Sequence, residues 1–411
     1  MPAVILLAPL ESAAILSQLE GAADGYNRVV VFTAMDIALV ALAISVLAQS
    51  RSLRRPSTMA SLLLPVMAAF AAFAWLFNPS VRGGSVIIRL VLASLVVVEV
   101  AGLNRVELRN RVVLPLLAAS AVQTVVVILQ ALEQGPIGLE VLGERSVFHQ
   151  FGTSVGAQGT LIHPYPLAGF ATLTVIATIL YMAGRPDDAP RWPYLSALAI
   201  TAVPLGVTYS RMSVIGLAAI AVFALWGASH NRKLYLPMLT AVAVGALLPA
   251  LIWNGGWIDR ASDSVGSDID AITSNRLVLT RQAIDIAAAN PWVGVGPGLY
   301  TQYLEQVEPD LDHYDAVHTV PLVVAAEDGI PAGAVVLVTL LLIGIRALRM
   351  GPSAAMAFGA FLPFVVFDKF PYIHPNGIIM FAIWLAMLDR SNSPEQPSAS
   401  AFDEDHAKMT A

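Results

Sequence analysis

Long apolar runs constrain this chain more than any other feature of its sequence. The hydrocarbon core of a bilayer is about 30 Å thick, so an α-helix needs roughly 20 apolar residues to cross it. The sequence offers eleven runs of about this length. They lie near residues 29–48, 58–77, 85–103, 112–132, 160–182, 193–209, 211–228, 234–253, 331–348, 353–368 and 373–389. They predict an all-α polytopic integral membrane protein with roughly 11–12 transmembrane helices, residues 2–19 forming either the twelfth span or an interfacial helix.

The charge content agrees with this class. Asp, Glu, Lys and Arg make up 13% of the 411 residues, whereas soluble globular domains carry about 25%. This difference excludes an ordinary water-soluble enzyme. The net charge of -6 and the lack of a basic run argue against nucleic acid as a partner. Because the chain has no Cys, it can form neither disulfides nor thiolate metal sites.

Basic residues indicate how the chain is oriented. Lys and Arg cluster in five loops that share one side if the spans alternate, and cytoplasmic loops are the ones that retain positive charge. The clusters are Arg51, Arg54 and Arg55; Arg105, Arg109 and Arg111; Arg185 and Arg191; Arg232 and Lys233; and Arg346 and Arg349. We therefore expect one transmembrane domain over residues 1–390, followed on the cytoplasmic side by a disordered tail, 391–411, rich in Ser, Pro and acids.

The opposite, extracytoplasmic side then holds two long segments, 133–159 and 254–330, and long loops are disproportionately functional. The larger one contains a helical pattern near residues 274–290, which predicts a short amphipathic helix along the membrane face. Arg276 and Arg281 lie about 140° apart on this helix, so they cannot point the same way. Arg281 can pair with Asp285 or bind a ligand. Arg276 opposes the helix dipole in the first turn, which an anionic ligand would explain.

Other polar residues of this side are candidates for chemistry. His318 stands where the polar loop gives way to an apolar segment, although a lone His is more often structural than catalytic. Glu327 or Asp328 could orient its imidazole, or neither does. Arg211, in a polar knot between two spans, either binds lipid phosphate nonspecifically or has a dedicated role. The Asp and His residues of 312–318 lack a recognised ligand spacing, so we predict no metal site.

Four motifs occur in the order found in the bacterial O-antigen ligase and polymerase family, which the chain resembles over roughly residues 145–335. The matching residues are Gly159, Thr160, His163, Pro164, Leu167 and Ala168; Ser210, Arg211 and Ser213; Asn275, Arg276, Asn290, Pro291, Gly294, Gly296 and Gly298; and His318, Glu327, Asp328, Gly329 and Pro331. Thr319, Tyr165 and Met212 depart from the family pattern, which leaves the acceptor and the subfamily open.

The resemblance implies a GT-C-like glycosyltransferase of the bacterial plasma (inner) membrane. A glycan would move from a polyprenyl (undecaprenyl) diphosphate carrier to an acceptor hydroxyl on the extracytoplasmic face. Arg211, Arg276 and Arg281 would bind the diphosphate, and His318 would act on the acceptor, supported by Glu327 and His163.

This assignment agrees with the chemistry of the residues. An arginine binds phosphate oxygens with a planar fork and keeps its charge, so neither a metal ion nor another cofactor is needed. A neutral His can accept the acceptor proton as the anomeric carbon is attacked, which predicts inversion at that carbon. We therefore expect Arg211, Arg276 and His318 to converge beside the lipid diphosphate.

Three other interpretations stay open. The chain could be another transferase of lipid-linked glycans, either a peptidoglycan polymerase or an oligosaccharyltransferase that acts on protein. It could be a transporter of lipid-linked sugars, which needs polar residues along a continuous path, and Asp36, Arg89 and Glu99 are the candidates for one. It could also be a scaffold without catalytic activity. The sequence does not identify the donor sugar, the acceptor, the choice between ligase and polymerase, or the oligomeric state.

Overall fold

The computed structural model describes residues 1–10, 13–18, 29–48, 58–185, 190–262, 276–309 and 314–390, and this part is largely helical. The helices are α1 (Pro2–Leu7), α2 (Ala34–Ala48), α3 (Met59–Phe77), α4 (Val81–Gly102), α5 (Arg105–Glu133), α6 (Pro164–Ala183), α7 (Trp192–Val207), α8 (Arg211–Ala228), α9 (Arg232–Ile252), α10 (Gly255–Ser262), α11 (Arg276–Ala289), α12 (Tyr300–Val307), α13 (Val320–Asp328), α14 (Ile330–Met350), α15 (Pro352–Val366), α16 (Phe370–Ile373) and α17 (Pro375–Arg390). Two antiparallel strand pairs accompany them, β1 (Ala13–Gln18) with β2 (Val29–Thr33) and β3 (Gln150–Phe151) with β4 (Ser154–Val155).

Each of the eleven predicted spans corresponds to one helix, namely α2 to α9, α14, α15 and α17. Within the described ranges, seven of these helices are long and apolar enough to cross a membrane: α3, α4, α5, α6, α8, α9 and α14. Helices α2, α7 and α15 are apolar but shorter, and α17 has 16 residues. The predicted class is confirmed, and the chain is a multi-pass, all-α membrane protein.

The N-terminal segment differs from its prediction. Its described part forms the six-residue α1 and the strand β1, so no single helix covers residues 2–19. The predicted first span also begins late, because its three consecutive valines favour a strand and pair with β1 as β2. Helix α2 then starts with a capping box, in which the Thr33 N–H donates to Asp36 Oδ2 (2.8 Å) and the Asp36 N–H donates to Thr33 Oγ1 (3.2 Å).

Two further predictions about the loops have different outcomes. Arg105, Arg109 and Arg111, predicted in a loop, lie in the first turns of α5, because Asn104 and Glu107 form a capping box that starts the helix early. The basic cluster of residues 51–55 and the predicted tail, 391–411, lie outside the described residues.

Helices α6 and α17 form the centre of the bundle. Almost every residue of both is buried, as expected for helices that are apolar on all sides. Helix α17 packs against α3, α4 and α6, and α6 packs against α7 and α15. The outer helices keep exposed apolar side chains, such as Leu76 at 70% and Ile44 at 62%. These side chains face the position of the lipid.

Alternation of the spans brings the connections 78–80, 134–163, 208–210, 253–329 and 367–374 to one end of the bundle, which we call the loop face. Contacts between these connections confirm the grouping. The Tyr209 hydroxyl donates to the Trp253 carbonyl (2.9 Å), and the Lys369 ammonium donates to the Ala316 carbonyl (3.2 Å). The candidate residues of the sequence therefore lie at one end of the molecule.

Candidate functional site

The glycine-rich segment 294–298 forms a tight loop against the C-terminal end of α13. Gly294 has φ +61°, and a Cβ at this position would lie 2.3 Å from the backbone of Glu327, an approach that requires glycine. Two backbone hydrogen bonds fix the loop. The Val295 N–H donates to the Ala326 carbonyl (2.9 Å), and the Gly296 N–H donates to the Glu327 carbonyl (2.8 Å). The loop thus ties the connection between α11 and α12 to α13.

The carboxylate of Glu327 completes this loop. It is 3% exposed and accepts from the Gly298 N–H through Oε2 (2.8 Å) and from the Tyr300 N–H through Oε1 (3.3 Å). Because Tyr300 is the first residue of α12, the carboxylate lies at a helix N-terminus, where negative charge is stabilised. Burial raises the pKa of Glu327, while the Gly298 N–H and the Arg82 guanidinium lower it. Both oxygens of this predicted support for His318 are therefore engaged by the loop.

Helix α11 lies where the sequence predicts a helix near residues 274–290, although residues 274 and 275 are outside the described part. It packs against α13 through a buried face that includes Ala283 and Ile286. Arg276, seven residues before Ala283, lies about 20° from it around the axis and so shares this inner face. Arg281 is exposed on another face. Of the two arginines, Arg276 is thus the one directed toward α13, and a diphosphate contact of Arg281 stays a prediction.

His318 lies two residues before α13 and contacts a carboxylate. Its Nε2 is 3.3 Å from Oδ2 of Asp315, whose side chain is 40% exposed. The other oxygen of Asp315 pairs with the Lys369 ammonium, which also donates to the Ala316 carbonyl. Burial lowers the pKa of Lys369 to about 7, while the adjacent carboxylate favours the charged ammonium. These contacts fix the segment that carries His318 to the connection between α15 and α16.

A second, buried carboxylate also acts on His318. Asp368 is 4% exposed, and its Oδ1 accepts from the Lys369 N–H (2.7 Å) and the Phe370 N–H (3.1 Å) at the start of α16. Asp368 Oδ2 and His318 Nδ1 are both buried, without a hydrogen-bond partner among the described residues. Burial lowers the pKa of His318, the Asp368 charge raises it, and the Arg276 guanidinium lowers it. Arg276, His318 and Asp368 therefore share one electrostatic environment.

His163 starts α6 and belongs to a group of rings beside this site. Its Nδ1 accepts from the Tyr165 N–H (3.3 Å) and so caps the helix. The ring centroids of His163 and His149 are 4.9 Å apart, and those of His163 and Tyr165 are 4.3 Å apart. Burial, followed by the charges of His149 and His318, lowers the pKa of His163 well below its usual value. His163 is thus a neutral helix cap near His318.

Arg211 begins α8 at the loop face, directly after a fixed turn. Tyr209 in this turn has φ +49° and is 1% exposed, and the Ser210 hydroxyl caps α8. Five residues into α8, a Cβ at Gly216 would lie 2.8 Å from the Ala360 carbonyl of the antiparallel α15. Arg211 therefore lies about 7.5 Å above this crossing, level with the end of α15. Its convergence with the other site residues stays a prediction.

Sequence reasoning did not select Asp315, Asp368 or Lys369. Asp315 belongs to an acidic run that is also typical of a solvated loop, and its contact with a lysine 54 positions away is not visible in the sequence. Asp368 and Lys369 did leave a signal, because they interrupt an apolar stretch at the loop-face end of two predicted spans. In the described ranges, no three His, Asp or Glu side chains are grouped so that they could hold a metal ion. His313, considered for such a role, lies outside those ranges.

Comparison with known proteins supports the resemblance. Residues 196–337 match the model of a protein family described as O-Antigen ligase. The match extends from α7 into α14 and includes Arg211, Arg276, Arg281, His318 and Glu327, but neither His163 nor the 367–374 connection. No curated protein matches the chain. This part of the chain is therefore similar to the O-antigen ligase family.

Proposed function

Because residues 196–337 match the O-antigen ligase family, we propose that the chain is an inverting, metal-independent glycosyltransferase. It moves a glycan from a polyprenyl diphosphate to an acceptor hydroxyl, and the reaction occurs at the loop face. This face is extracytoplasmic, since the described basic clusters lie at the other end of the bundle, in the connection 184–191 and at the adjoining ends of α5, α9 and α14. The C-terminus is then cytoplasmic and the membrane is the bacterial inner membrane. The observation that carries the proposal is the contact of His318 Nε2 with Asp315 at the loop face, together with Arg276 on the face of α11 that packs against α13.

His318 is the base of the proposed reaction. Its lowered pKa keeps the imidazole neutral near pH 7, so it can accept a proton. The acceptor oxygen bonds to the anomeric carbon while its proton passes to His318 Nε2. On the opposite side of that carbon, the bond to the phosphate oxygen breaks, and the electron pair leaves with the polyprenyl diphosphate. A single displacement of this kind inverts the anomeric configuration.

The arginines stabilise the charge that develops on the leaving diphosphate. Arg276 lies on the inner face of α11 and reaches the same environment as His318. Arg211 lies level with the end of α15, immediately before the connection that carries Asp368. Two guanidiniums supply the positive charge that a divalent cation provides in other phosphate chemistry, and they remain charged at every accessible pH.

The two carboxylates position the imidazole and stabilise its charged form. Asp368 Oδ2 and His318 Nδ1 both lack a hydrogen-bond partner in the described part of the chain, and buried atoms of this kind usually find one. We infer that Nδ1 carries the proton of the neutral imidazole and donates a hydrogen bond to Asp368 Oδ2 when substrate binds, so that Nε2 keeps a free lone pair. Asp315, on the exposed edge 3.3 Å from Nε2, stabilises the proton that Nε2 receives from the acceptor hydroxyl. Lys369 keeps Asp315 in place.

Transfer in vitro tests the proposal. The purified chain in detergent or nanodiscs receives a glycan on a polyprenyl diphosphate together with an acceptor, and product formation is measured for His318→Ala and Arg276→Ala. Loss of the base lowers kcat by about 10²–10⁴-fold, and loss of the guanidinium by about 10²–10³-fold. Arg232→Ala, exposed at the other end of the bundle, is the matched control.

Arg281→Ala decides whether the second arginine of α11 takes part. Full activity would limit diphosphate binding on this helix to Arg276, whereas a loss equal to that of Arg276→Ala would show that the helix binds donor with both faces. Wild-type rates in both His318→Ala and Arg276→Ala would remove the proposed mechanism. A product that retains the anomeric configuration would contradict the single displacement.

A further inference from the structure

A groove between α7, α8 and α9 opens on the outside of the bundle, and α10 closes it at the loop face. We call it the lateral groove; its volume is about 760 Å³. Its floor forms where α7 and α9 touch, since a Cβ at Gly206 would lie 2.2 Å from the Ala246 carbonyl. Asn254 and Trp257 lie at its loop-face end, and the Trp257 indole N–H donates to the Gly206 carbonyl (2.8 Å). The remaining lining is aliphatic.

The lining favours a long, slim apolar ligand. Small side chains such as Ala218, Ala243 and Ala250 line the walls and leave the space open. At the mouth, Leu251 is 70% exposed and Ile258 is 60% exposed, so the groove opens onto lipid rather than onto another part of this chain. The volume lies within the range of about 300–1,000 Å³ that is typical of ligand sites.

A positive charge stands at the loop-face end of the same groove. Arg211 and Ala218 are seven residues apart on α8, hence about 20° apart around the axis. Val214, between them, also lines the groove. Arg211 therefore lies on the same face of α8 as the residues that line the groove, at the end nearest the membrane surface. A cation above an apolar groove matches a ligand with an anionic head and a long hydrocarbon tail.

Two aromatic rings in series, Tyr209 and Phe151, connect the closed end of the groove to His149 beside the site. Trp257 contacts Tyr209 edge to face (5.6 Å between centroids), and Tyr209 contacts Phe151 in the same way (5.6 Å). Phe151 in turn contacts His149 at 4.9 Å. Arg260, three residues after Trp257 on α10, has its guanidinium 4.4 Å from the Phe151 ring. The groove and the site are thus adjacent.

We propose that the lateral groove binds the polyprenyl chain of the donor, with its diphosphate at Arg211. The donor then enters sideways from the membrane between α8 and α9. This inference rests on the proposed function, because it assigns the tail of the same substrate.

Filling the groove tests this assignment. Ala218→Trp and Ala243→Trp narrow it, and Leu341→Trp on the exposed face of α14 is the matched control, since this leucine is 62% exposed and outside the groove. The KM is measured for a glycan on a long polyprenyl diphosphate and for the same glycan on a two-isoprene diphosphate. For the groove variants, the KM of the long donor rises about tenfold or more, since losing two buried methylene groups has this effect. The KM of the short donor stays unchanged.

Equal KM changes for both donors, or none, would overturn the assignment while leaving the proposed transfer intact. A second measurement does not need activity. A photoreactive polyprenyl diphosphate without glycan labels peptides of α8 and α9 in the wild type, and Ala218→Trp reduces the labelling. Labelling outside these helices would show that the polyprenyl chain binds elsewhere. Loss of the α8 and α9 labelling in excess phosphatidylglycerol would show that the groove holds ordinary membrane lipid. If neither the wild type nor any variant turns over a donor, the proposed function fails. The labelling still shows whether the groove binds the polyprenyl chain.

Discussion

The two nitrogens of His318 have different surroundings, and this difference decides which one can act on substrate. Nε2 faces Asp315, whose side chain is 40% exposed, so this edge is open to an incoming hydroxyl. Nδ1 is buried. Burial that keeps the imidazole neutral also makes its protonated form costly during reaction. The charge of Asp368 offsets this cost. Purely apolar surroundings would lower the pKa of His318 further and would leave the protonated imidazole without this stabilisation.

The pH dependence of transfer follows from these surroundings. The pKa of His318 lies below its usual value of 6.5, so the acid limb of kcat/KM should lie below that pH. Arg276→Gln removes a positive charge that lowers this pKa, so the limb moves to higher pH. Asp368→Asn removes a negative charge that raises the pKa, so the limb moves to lower pH. The position of the limb, rather than the maximal rate, is measured in each variant.

Arg232→Gln, at the other end of the bundle, is the control and should leave the limb in place. Asp315 and His163 also face His318 and remain unchanged in all three variants. If the limb moved the same way in Arg276→Gln and Asp368→Asn, the titrating group would not be a His318 held between these two charges.

At the scale of elements, α13 links the glycine-rich loop to the site. It has nine residues and is about 13 Å long, with His318 two residues before its first residue and Glu327 in its last turn. The loop of residues 294–298 and the start of α12 hold the Glu327 end. A disturbance of this loop is therefore expected to move His318, although the two are not in contact.

Gly294→Ala tests this linkage. The new methyl group would meet the Glu327 backbone at 2.3 Å, so the loop must separate from α13, and both the melting temperature and kcat fall. Gly351→Ala is the matched control, because Gly351 also has positive φ (+108°) but has no atom within 4 Å of the added Cβ. The control should show only the strain of a non-glycine residue at positive φ, about 1–3 kcal/mol. Equal effects of the two substitutions would mean that α13 does not depend on this contact.

Glu327→Gln separates a structural role from a role in proton transfer. The amide keeps the shape of the side chain, but its NH2 group cannot accept one of the two backbone hydrogen bonds that the carboxylate accepts. The free energy of unfolding should therefore fall by about 1–3 kcal/mol. Because both carboxylate oxygens bind the loop, the acid limb of kcat/KM should stay in place. Thermal unfolding and the pH profile are measured on the same preparation. If the acid limb shifted while the stability stayed unchanged, Glu327 would instead act on the His318 imidazole, as the sequence predicts.

The elements show what the sequence could predict. Apolar length and helical periodicity are local properties, so each predicted span has its helix. The first residues of the helices depended on capping boxes, which the prediction did not include. Thr33 and Asp36 start α2 directly after a strand, and Asn104 and Glu107 start α5 early enough that it includes Arg105, Arg109 and Arg111. Motifs led to Arg276 and His318 as candidates, and their roles stay predictions. Asp315 and Asp368 belong to segments that are far apart in the sequence and come together only in the folded chain. A local sequence pattern therefore could not predict their contacts.

At the scale of the whole molecule, the charged residues that could line a transport path form two separate groups. Arg89 on α4 pairs with Asp36 in the first turn of α2, through Nε to Oδ1 at 2.8 Å and Nη2 to Oδ2 at 3.0 Å. The predicted span began at residue 29, which would put Asp36 deeper in the helix, whereas α2 begins at Ala34. Glu99 instead pairs with Arg111 (3.2 Å) near the opposite end of α4. These pairs join helices and do not outline a continuous polar path, which favours a transferase over a transporter.

The pair of Asp36 and Arg89 should therefore act on stability and not on the glycan reaction. The two side chains are 8% and 12% exposed, and removing one partner of a buried pair costs about 3–5 kcal/mol because the other charge is left uncompensated. Asp36→Asn and Arg89→Met should each lower the melting temperature, and the double variant should recover part of the loss. Transfer per folded molecule should equal that of the wild type in all three. Unaltered stability, combined with lost movement of lipid-linked sugar across vesicles, would instead assign these residues to a transport path and reopen that interpretation.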